Sequence, residues 1–227
     1  MRVSIAGRAF ELSETLASEE LAPIFADAWT ASRVWTASQF LSEHLVRLAG
    51  TDDCAVQPLS DAATSVIELG SGCGLVGLVA ATLGAQVVLS DQREALELLQ
   101  RNAAQNLLTD DERQRVSVLE YRWGTDPEHA LPRATFDYIL VSDCINPIYG
   151  SSSWRQLARS LALLSRDTTV TLLSHEARGD DEAMADFLSF SAPFLDCERI
   201  VDDVSRRLTL LKIRRRPGAV VPPLPAA

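Results

Sequence analysis

Apolar runs of strand length alternate with helical patterns from residue 64 almost to the end of the chain. Five such runs predict β-strands, at Thr64–Leu69, Gln86–Ser90, Val116–Glu120, Phe136–Ser142 and Thr168–Leu173. Apolar residues at helical spacing predict helices between and after them, at Gly74–Leu83, at Arg93–Asn106, along the face of Trp154, Leu157, Leu161 and Leu164, and at Asp181–Ser191. This alternation is typical of a parallel, doubly wound sheet with helices on both faces.

The two ends of the chain show different patterns. Two β-like stretches, Glu198–Val201 and Leu208–Arg214, follow the last helix closely and predict a terminal hairpin. The expected fold is therefore an α/β, Rossmann-like sheet of seven strands, mostly parallel with an antiparallel edge strand. Residues 21–50 show a helical pattern that contains Trp29, and we expect residues 1–50 to form a helical and β extension packed on the binding site. The proline-rich residues 217–227 are expected to form a flexible tail.

The composition is that of an ordinary soluble globular protein. Of the 227 residues, 47% are hydrophobic and 23% are charged, which excludes a disordered, collagen-like or coiled-coil chain. The apolar runs are all shorter than the roughly 18 residues of a membrane helix, and the first residues lack the apolar core of a signal peptide. We therefore expect a cytoplasmic protein, with the nucleus as a second compartment, and no membrane partner.

Charge and cysteine content narrow the function classes further. The 21 basic and 31 acidic residues give a net charge of −10, which argues against a nucleic-acid partner. The four cysteines form no C-x-x-C pair and only three histidines are present, so we expect no metal site. The sequence carries no clear oligomerisation signal, and we expect a monomer.

Alternating glycines directly after the first strand indicate a ligand-binding loop. Gly70, Gly72 and Gly74 follow the strand and open a helix, so a ligand can approach the main-chain N–H groups. Residues 72–77 also match the dinucleotide pattern G-x-G-x-x-G, with Asp91 nineteen residues after Gly72. However, the tight turn directly after the strand begins at Gly70, and the six-residue pattern fails in that frame.

Two acidic residues favour a cationic ligand over a dinucleotide. Glu68 ends the first strand, where its carboxylate would repel a pyrophosphate. S-adenosylmethionine carries an ammonium and a sulfonium but no phosphate, and it fits this constraint. Asp91 ends the second strand and can accept hydrogen bonds from both ribose hydroxyls, or it can cap the helix that follows.

Residues 66–106 resemble the glycine-loop region of the class I methyltransferases. Three further segments resemble the seven-β-strand protein-lysine methyltransferases called methyltransferase family 16. They are a V-W-x-A element at residues 34–37, a W-G pair at residues 123–124, and the start of a D-x-x-Y region at residues 142–145. The resemblance covers about residues 30–215 and identifies residues 51–216 as a class I methyltransferase domain.

The resemblance implies S-adenosylmethionine as the cofactor and a lysine of a protein as the methyl acceptor. It places Asp91 on the ribose, Trp123 on the adenine and Ser142 on the pocket wall. The expected cofactor-binding residues are Trp35, Glu68, Gly70, Ser71, Gly72, Asp91, Trp123 and Ser142. A flat indole is a good stacking surface for adenine, although either tryptophan could instead be an ordinary packing residue.

The expected catalytic residues are Asp143, Asn146 and Tyr149. A carboxylate stabilises an ammonium, so Asp143 is expected to orient the lysine rather than to deprotonate it. The family's D-x-x-Y tyrosine is replaced by Asn146, and the aromatic residue returns at Tyr149. Either Tyr149 forms the wall of the lysine channel, or Asn146 acts differently. Three polar residues after the fifth strand could contact the substrate or be ordinary loop residues: His175, Glu176 and Arg178.

Three other functions remain open from the sequence. The chain could methylate a small amine or another protein nitrogen. It could be a cofactor-binding scaffold without turnover, because Asn146 blocks the lysine channel. A nicotinamide-dependent dehydrogenase is a third alternative, but the sequence shows no second catalytic domain and gives Trp123 no role in such an enzyme.

Overall fold

The computed structural model describes residues 1–14, 33–50, 58–179 and 182–223. The strands, in chain order, are β1 (Arg2–Ile5), β2 (Arg8–Glu11), β3 (Ser65–Leu69), β4 (Gln86–Asp91), β5 (Val116–Glu120), β6 (Phe136–Ser142), β7 (Ser165–Glu176), β8 (Leu195–Asp203) and β9 (Leu208–Arg215). The helices are α1 (Thr36–Ala49), α2 (Leu75–Leu83), α3 (Leu96–Asn106), α4 (Asp110–Gln114), α5 (Pro127–Ala130), α6 (Ser151–Leu163) and α7 (Glu182–Ser191). Short 3₁₀ turns lie at Arg93–Ala95 and Pro147–Tyr149.

The last seven strands form one sheet in the order β5-β4-β3-β6-β7-β9-β8. The strands β3 to β7 run parallel to their neighbours, whereas β9 is antiparallel to both β7 and β8. The strand order changes direction between β3 and β6. In open α/β sheets, ligands bind outside the carboxyl ends of the strands at such a point.

Helices cover both faces of the sheet, and each face has its own apolar core. Residues from α1, α2 and α3 form the core on one face, and residues from α6 and α7 form the core on the other. All five residues of β3 are buried, as expected for a strand covered on both faces, and three of them are apolar. The helix α2 approaches the sheet so closely that a Cβ atom at Gly77 would lie 2.2 Å from Leu89 Cδ2.

The strands β1 and β2 form a separate hairpin that packs near α3. Its two-residue turn has positive φ at both Ala6 (49°) and Gly7 (81°), as a type I′ turn requires. Arg8 holds the hairpin in place, because its guanidinium donates to Glu112 of α4 and to the carbonyl oxygen of Asn106.

The expected α/β fold, its seven-stranded sheet and its terminal hairpin are confirmed. The bounds of β5 and β6 are those predicted, and β9 lies one position inside the edge strand β8. The helix α1 begins at Thr36, so Trp35 precedes it. The predicted helical residues 21–32, with Trp29, lie outside the described residues. Within the described part of the chain, no helix is long and apolar enough to cross a membrane.

Candidate functional site

A cavity of about 480 Å³ opens at the carboxyl ends of β3, β4 and β6. The loops that follow these strands form its floor, and the segment before α1 forms part of its wall. Most of the predicted site residues line it: Trp35, Gly70, Ser71, Gly72, Asp91, Trp123, Ser142, Asp143 and Tyr149. The sequence patterns therefore converge on one site, although they lie far apart along the chain.

The glycine loop requires residues without a side chain. Gly70 has a φ of 65°, and a Cβ atom there would lie 2.7 Å from Cys144 Sγ and 3.0 Å from Trp123 Cζ2. Gly72 also has a positive φ, of 52°. The Ser71 N–H donates to the carbonyl oxygen of Ser90, which ties the loop to β4. The alternating glycines thus allow a left-handed path that passes close to an aromatic ring.

Asp91 lies beside the glycine loop and holds it in place. Its carboxylate accepts a hydrogen bond of 2.8 Å from the Gly72 N–H through Oδ2 and another of 2.8 Å from the Gln92 N–H through Oδ1. Burial raises the pKa of Asp91 to about 6, although these two hydrogen bonds oppose the rise. The residue lines the cavity, and it also takes part in the turn at the end of β4.

Glu68 lies near the end of β3 and bonds to the helix α2. Its carboxylate lies under the loop and accepts a hydrogen bond of 3.1 Å from the Gly77 N–H of α2. The residue is 1% exposed, and its burial raises the pKa of the carboxyl group to about 8. Glu68 is not among the described residues that line the cavity, so its geometry supports the loop rather than direct contact with a cofactor.

Aromatic side chains line the cavity on both sides. Trp123 lies beneath Gly70, and Tyr121 follows β5 directly. Sequence reasoning missed Tyr121, although its place immediately after a predicted strand could have indicated it. The ring of Trp35, just before α1, contacts two guanidinium groups, those of Arg178 and Arg33, at 4.9 Å and 5.3 Å from its centroid.

Asp143 follows β6 and is paired with an arginine. It has a positive φ of 57°, which is uncommon for a residue other than glycine. Its side chain is 2% exposed and accepts hydrogen bonds from both terminal nitrogens of Arg178, the Nη1–Oδ1 distance being 3.1 Å. The sequence predicted that this carboxylate orients a lysine, but the structure adds a cationic partner that the sequence patterns did not reveal.

The other predicted catalytic residues lie in the turn after Asp143. Tyr149 lines the cavity, together with the exposed Ile148. Asn146 is not among the residues of the described chain that line the cavity. Its Oδ1 instead accepts a hydrogen bond of 3.1 Å from the Ile148 N–H. This arrangement favours Tyr149 for the channel wall and gives Asn146 the role of capping the 3₁₀ turn. No metal-binding group of acidic, histidine or cysteine residues occurs within the described ranges.

The lysine methyltransferase family model matches residues 26–191. The chain belongs to this family. It is 32% identical over 190 residues to the protein N-lysine methyltransferase METTL21A of Mus musculus, an alignment that covers 82% of the chain and 78% of that protein. It is also 27% identical over 190 residues to the EEF1A lysine methyltransferase 3 of Xenopus tropicalis, covering 84% of the chain and 77% of that protein.

Other relatives are matched over a shorter region. The alignment with METTL21A of Xenopus tropicalis shows 42% identity over 115 residues, which is 51% of the chain and 50% of that protein. The chain thus spans about half the length of this relative.

Solved structures show the same fold at low sequence identity. The glycopeptide N-methyltransferase MtfA, complexed with S-adenosylhomocysteine, superposes with a TM-score of 0.59 and 12% identity, covering 79% of the chain and 90% of that protein. The CcbJ methyltransferase from Streptomyces caelestis gives a TM-score of 0.55 at 15% identity, covering 77% of the chain and 89% of that protein. At this level of identity the likeness establishes the fold alone.

Proposed function

We propose that this protein transfers a methyl group from S-adenosylmethionine to the ε-amine of a lysine in a protein substrate. The observation that carries the proposal is the cavity at the carboxyl ends of β3, β4 and β6, which unites the glycine loop, Asp91, Trp123 and Asp143. Family membership supports it, because relatives with up to 84% coverage of the chain are named protein-lysine methyltransferases.

The residues of the cavity fit the chemistry of this cofactor. Asp91 presents a buried carboxylate to a ligand that carries hydroxyls, and the glycine loop lets a ligand approach the main chain. Trp123 and Tyr121 offer aromatic surfaces for an adenine ring. The buried charges on the wall are acidic, whereas the lining arginines Arg33 and Arg122 are exposed, which suits a cationic ligand better than a phosphate. When bound, S-adenosylmethionine supplies an electrophilic methyl group.

The protein's own contribution is to hold an amine in line and without its proton. Alignment of reactants can account for much of an enzyme's acceleration. A lysine with a free pKa near 10.4 needs about 4 kcal/mol to lose its proton near pH 7.4. The aromatic wall at Tyr149 and the carboxylate of Asp143 would orient the amine, and water would accept the proton.

Three observations support a protein as the methyl acceptor. The chain's charge of −10 suits a basic, lysine-bearing partner. The apolar side chain of Ile148 is 66% exposed at the cavity, where a protein surface could cover it. The names of the relatives provide the third support, since they describe proteins that modify lysine in other proteins.

Calorimetric titration with S-adenosylmethionine, and separately with NADH, tests the cofactor. We expect binding of the first only, and weaker binding by Asp91→Asn, which keeps the size of the side chain but removes its charge. Glu97→Gln, an exposed change on α3, is the matched control. Binding of NADH alone would contradict the proposal, because it would restore the dinucleotide interpretation of the glycines.

Transfer of a labelled methyl group to cell extract tests the acceptor. We expect the label on protein, and acid hydrolysis should release it as methylated lysine. Label on small molecules alone would indicate a small-amine methyltransferase. Binding of the cofactor without any transfer would indicate a scaffold, and both results would contradict the protein-lysine assignment.

A further inference from the structure

The ion pair between Asp143 and Arg178 lies at the edge of the cavity. Asp143 lines the cavity and has a side chain that is 2% exposed. Arg178 reaches it from the end of β7, is 35% exposed, and stays outside the cavity wall. The guanidinium of Arg178 therefore binds the carboxylate of Asp143 without filling the cavity that a substrate would enter.

The guanidinium of Arg178 is held in this position from three directions. It bonds to both oxygens of Asp143, and it lies 4.9 Å from the centroid of the Trp35 ring. Its Nη2 also donates a hydrogen bond of 3.5 Å to Glu176 Oε2. Burial alone would lower the pKa of Arg178, but the hydrogen bond and charge of Asp143 outweigh it and raise the pKa above its usual value. The cation therefore persists throughout the pH range of an enzyme assay.

An unpaired carboxylate would oppose amine methylation. An opposite charge within about 4–6 Å typically shifts a pKa by 1–3 units toward the charged form. A lone Asp143 would therefore keep an approaching lysine protonated, and a protonated amine has no lone pair for attack. With Arg178 in place, the pair has no net charge, while Asp143 can still accept a hydrogen bond from the amine.

We infer that Arg178 is a positioning residue that compensates the charge of Asp143, so that the site selects the acceptor amine in its neutral form. This inference rests on the proposed function. The proton that the amine loses passes to solvent. The site thereby separates two tasks, because Asp143 directs the amine and Arg178 prevents the same carboxylate from holding the proton on it.

Other charged and titratable groups around the pair must be considered in a test that varies pH. From β7, His175 places its Nδ1 3.8 Å from Asp143 Oδ1, and the carboxylate of Glu176 lies 3.5 Å from Arg178. Charged or titratable groups of other elements also lie around the pair: Arg33 beside Trp35, Tyr149 in the 3₁₀ turn, and Asp91 and Cys144 on the cavity wall. Glu176 loses its ion pair when Arg178 is changed, so its carboxylate adds to the negative charge that Arg178→Gln leaves uncompensated.

Amine binding at two pH values tests the inference. The probe is n-butylamine, titrated into protein saturated with S-adenosylhomocysteine and followed by ligand-observed NMR at about pH 7 and about pH 9.5, below the lysine-like pKa of about 10.4. The wild type should bind more tightly at the higher pH, by roughly tenfold per pH unit, because the neutral fraction grows at that rate. Arg178→Gln should lose or reverse this dependence, and Arg178→Lys should restore most of it.

A matched control comes from the opposite ends of the same two strands. Arg166 at the start of β7 pairs with Asp137 at the start of β6, far from the carboxyl edge. Arg166→Gln should therefore leave the pH dependence of amine binding unchanged, even if it lowers stability.

Two results would overturn the inference. One is the same pH dependence in Arg178→Gln as in the wild type, which would leave Arg178 a merely structural role. The other is tighter binding by the wild type at the lower pH, which would mean that the site prefers the ammonium. Because this readout needs no turnover, it stays distinct from a failure to find methylated lysine.

Discussion

The side-chain amide of Asn102 on α3 donates a hydrogen bond of 3.1 Å to the carbonyl oxygen of Cys73 in the glycine loop. The same nitrogen donates to the carbonyl oxygen of Ser13, also at 3.1 Å, and Asn102 Oδ1 accepts a hydrogen bond of 2.8 Å from the Ser13 N–H. One fully buried side chain thus joins three parts of the chain: the segment after the N-terminal hairpin, the helix α3 and the glycine loop.

Asn102→Ala should weaken binding of S-adenosylmethionine by about tenfold, since leaving a buried polar group unsatisfied costs about 1–3 kcal/mol. Calorimetric titration measures the effect. Gln105→Ala, an exposed change on the same helix, should bind the cofactor like the wild type. Normal affinity in Asn102→Ala, together with a lower unfolding free energy, would show that the glycine loop keeps its conformation without this bridge.

The buried carboxyl groups under the loop should make stability depend on pH. Burial raises the pKa of Glu68 from 4.5 to about 8 and that of Asp91 from 3.8 to about 6. A group with a raised pKa binds its proton more tightly in the folded state, so it favours folding at low pH. For Glu68 this contribution is fully present below pH 4.5 and is lost as the pH rises through about 8.

Glu68→Gln should remove most of this dependence, because the amide stays neutral and its oxygen can still accept from the Gly77 N–H. The difference in unfolding free energy between pH 5 and pH 9 should shrink by on the order of a few kcal/mol. Urea denaturation at the two pH values measures it. The residual slope should reflect Asp91, and an undiminished slope would show that Glu68 ionises with little cost.

Gly77→Ala should destabilise the protein by about 1–3 kcal/mol, the usual cost of overpacking a core. The added Cβ would lie 2.2 Å from Leu89 Cδ2 and 2.8 Å from Glu68 Oε2, so α2 would have to move away from the sheet. Gly50→Ala is the control, because the nearest atom to its Cβ would be 3.5 Å away. Thermal unfolding of the two variants should differ accordingly, and equal midpoints would contradict the tight packing of α2.

The sequence predicted elements well where local pattern and environment agree. Val116–Glu120 and Phe136–Ser142 are strand patterns that each follow a polar residue, and both strands have the predicted bounds. The positions of side chains were harder to predict. Glu68 was expected among the cofactor-binding residues because a cationic ligand tolerates a carboxylate there, and its side chain accepts a hydrogen bond from the Gly77 N–H of α2. Strand periodicity does not say which side of a loop a terminal side chain reaches.

The contacts between residues distant along the chain could not be predicted from the sequence. Arg178 was recognised as a polar residue at the carboxyl edge, but its pairing with Asp143 depends on the register between β6 and β7. Asn102 lies within the helix predicted at residues 93–106, and only the tertiary structure places it against Cys73. Both residues lie next to motifs that the sequence did reveal, so the motifs located the site but not the groups that hold it.

Asp143→Asn should retain cofactor affinity and lose methyl transfer. Asparagine tolerates the positive φ of 57° at this position better than most residues, so the turn after β6 should keep its shape. The variant removes the carboxylate that directs the amine and leaves Arg178 with Glu176 as its ion-pair partner, so the amine loses the group that orients it. We expect the single-turnover rate to fall by at least about tenfold, the equivalent of 1.4 kcal/mol, while calorimetry gives an unchanged affinity for S-adenosylmethionine. Loss of cofactor binding together with transfer would instead place Asp143 in the cofactor site, and an unchanged rate would remove it from the handling of the acceptor.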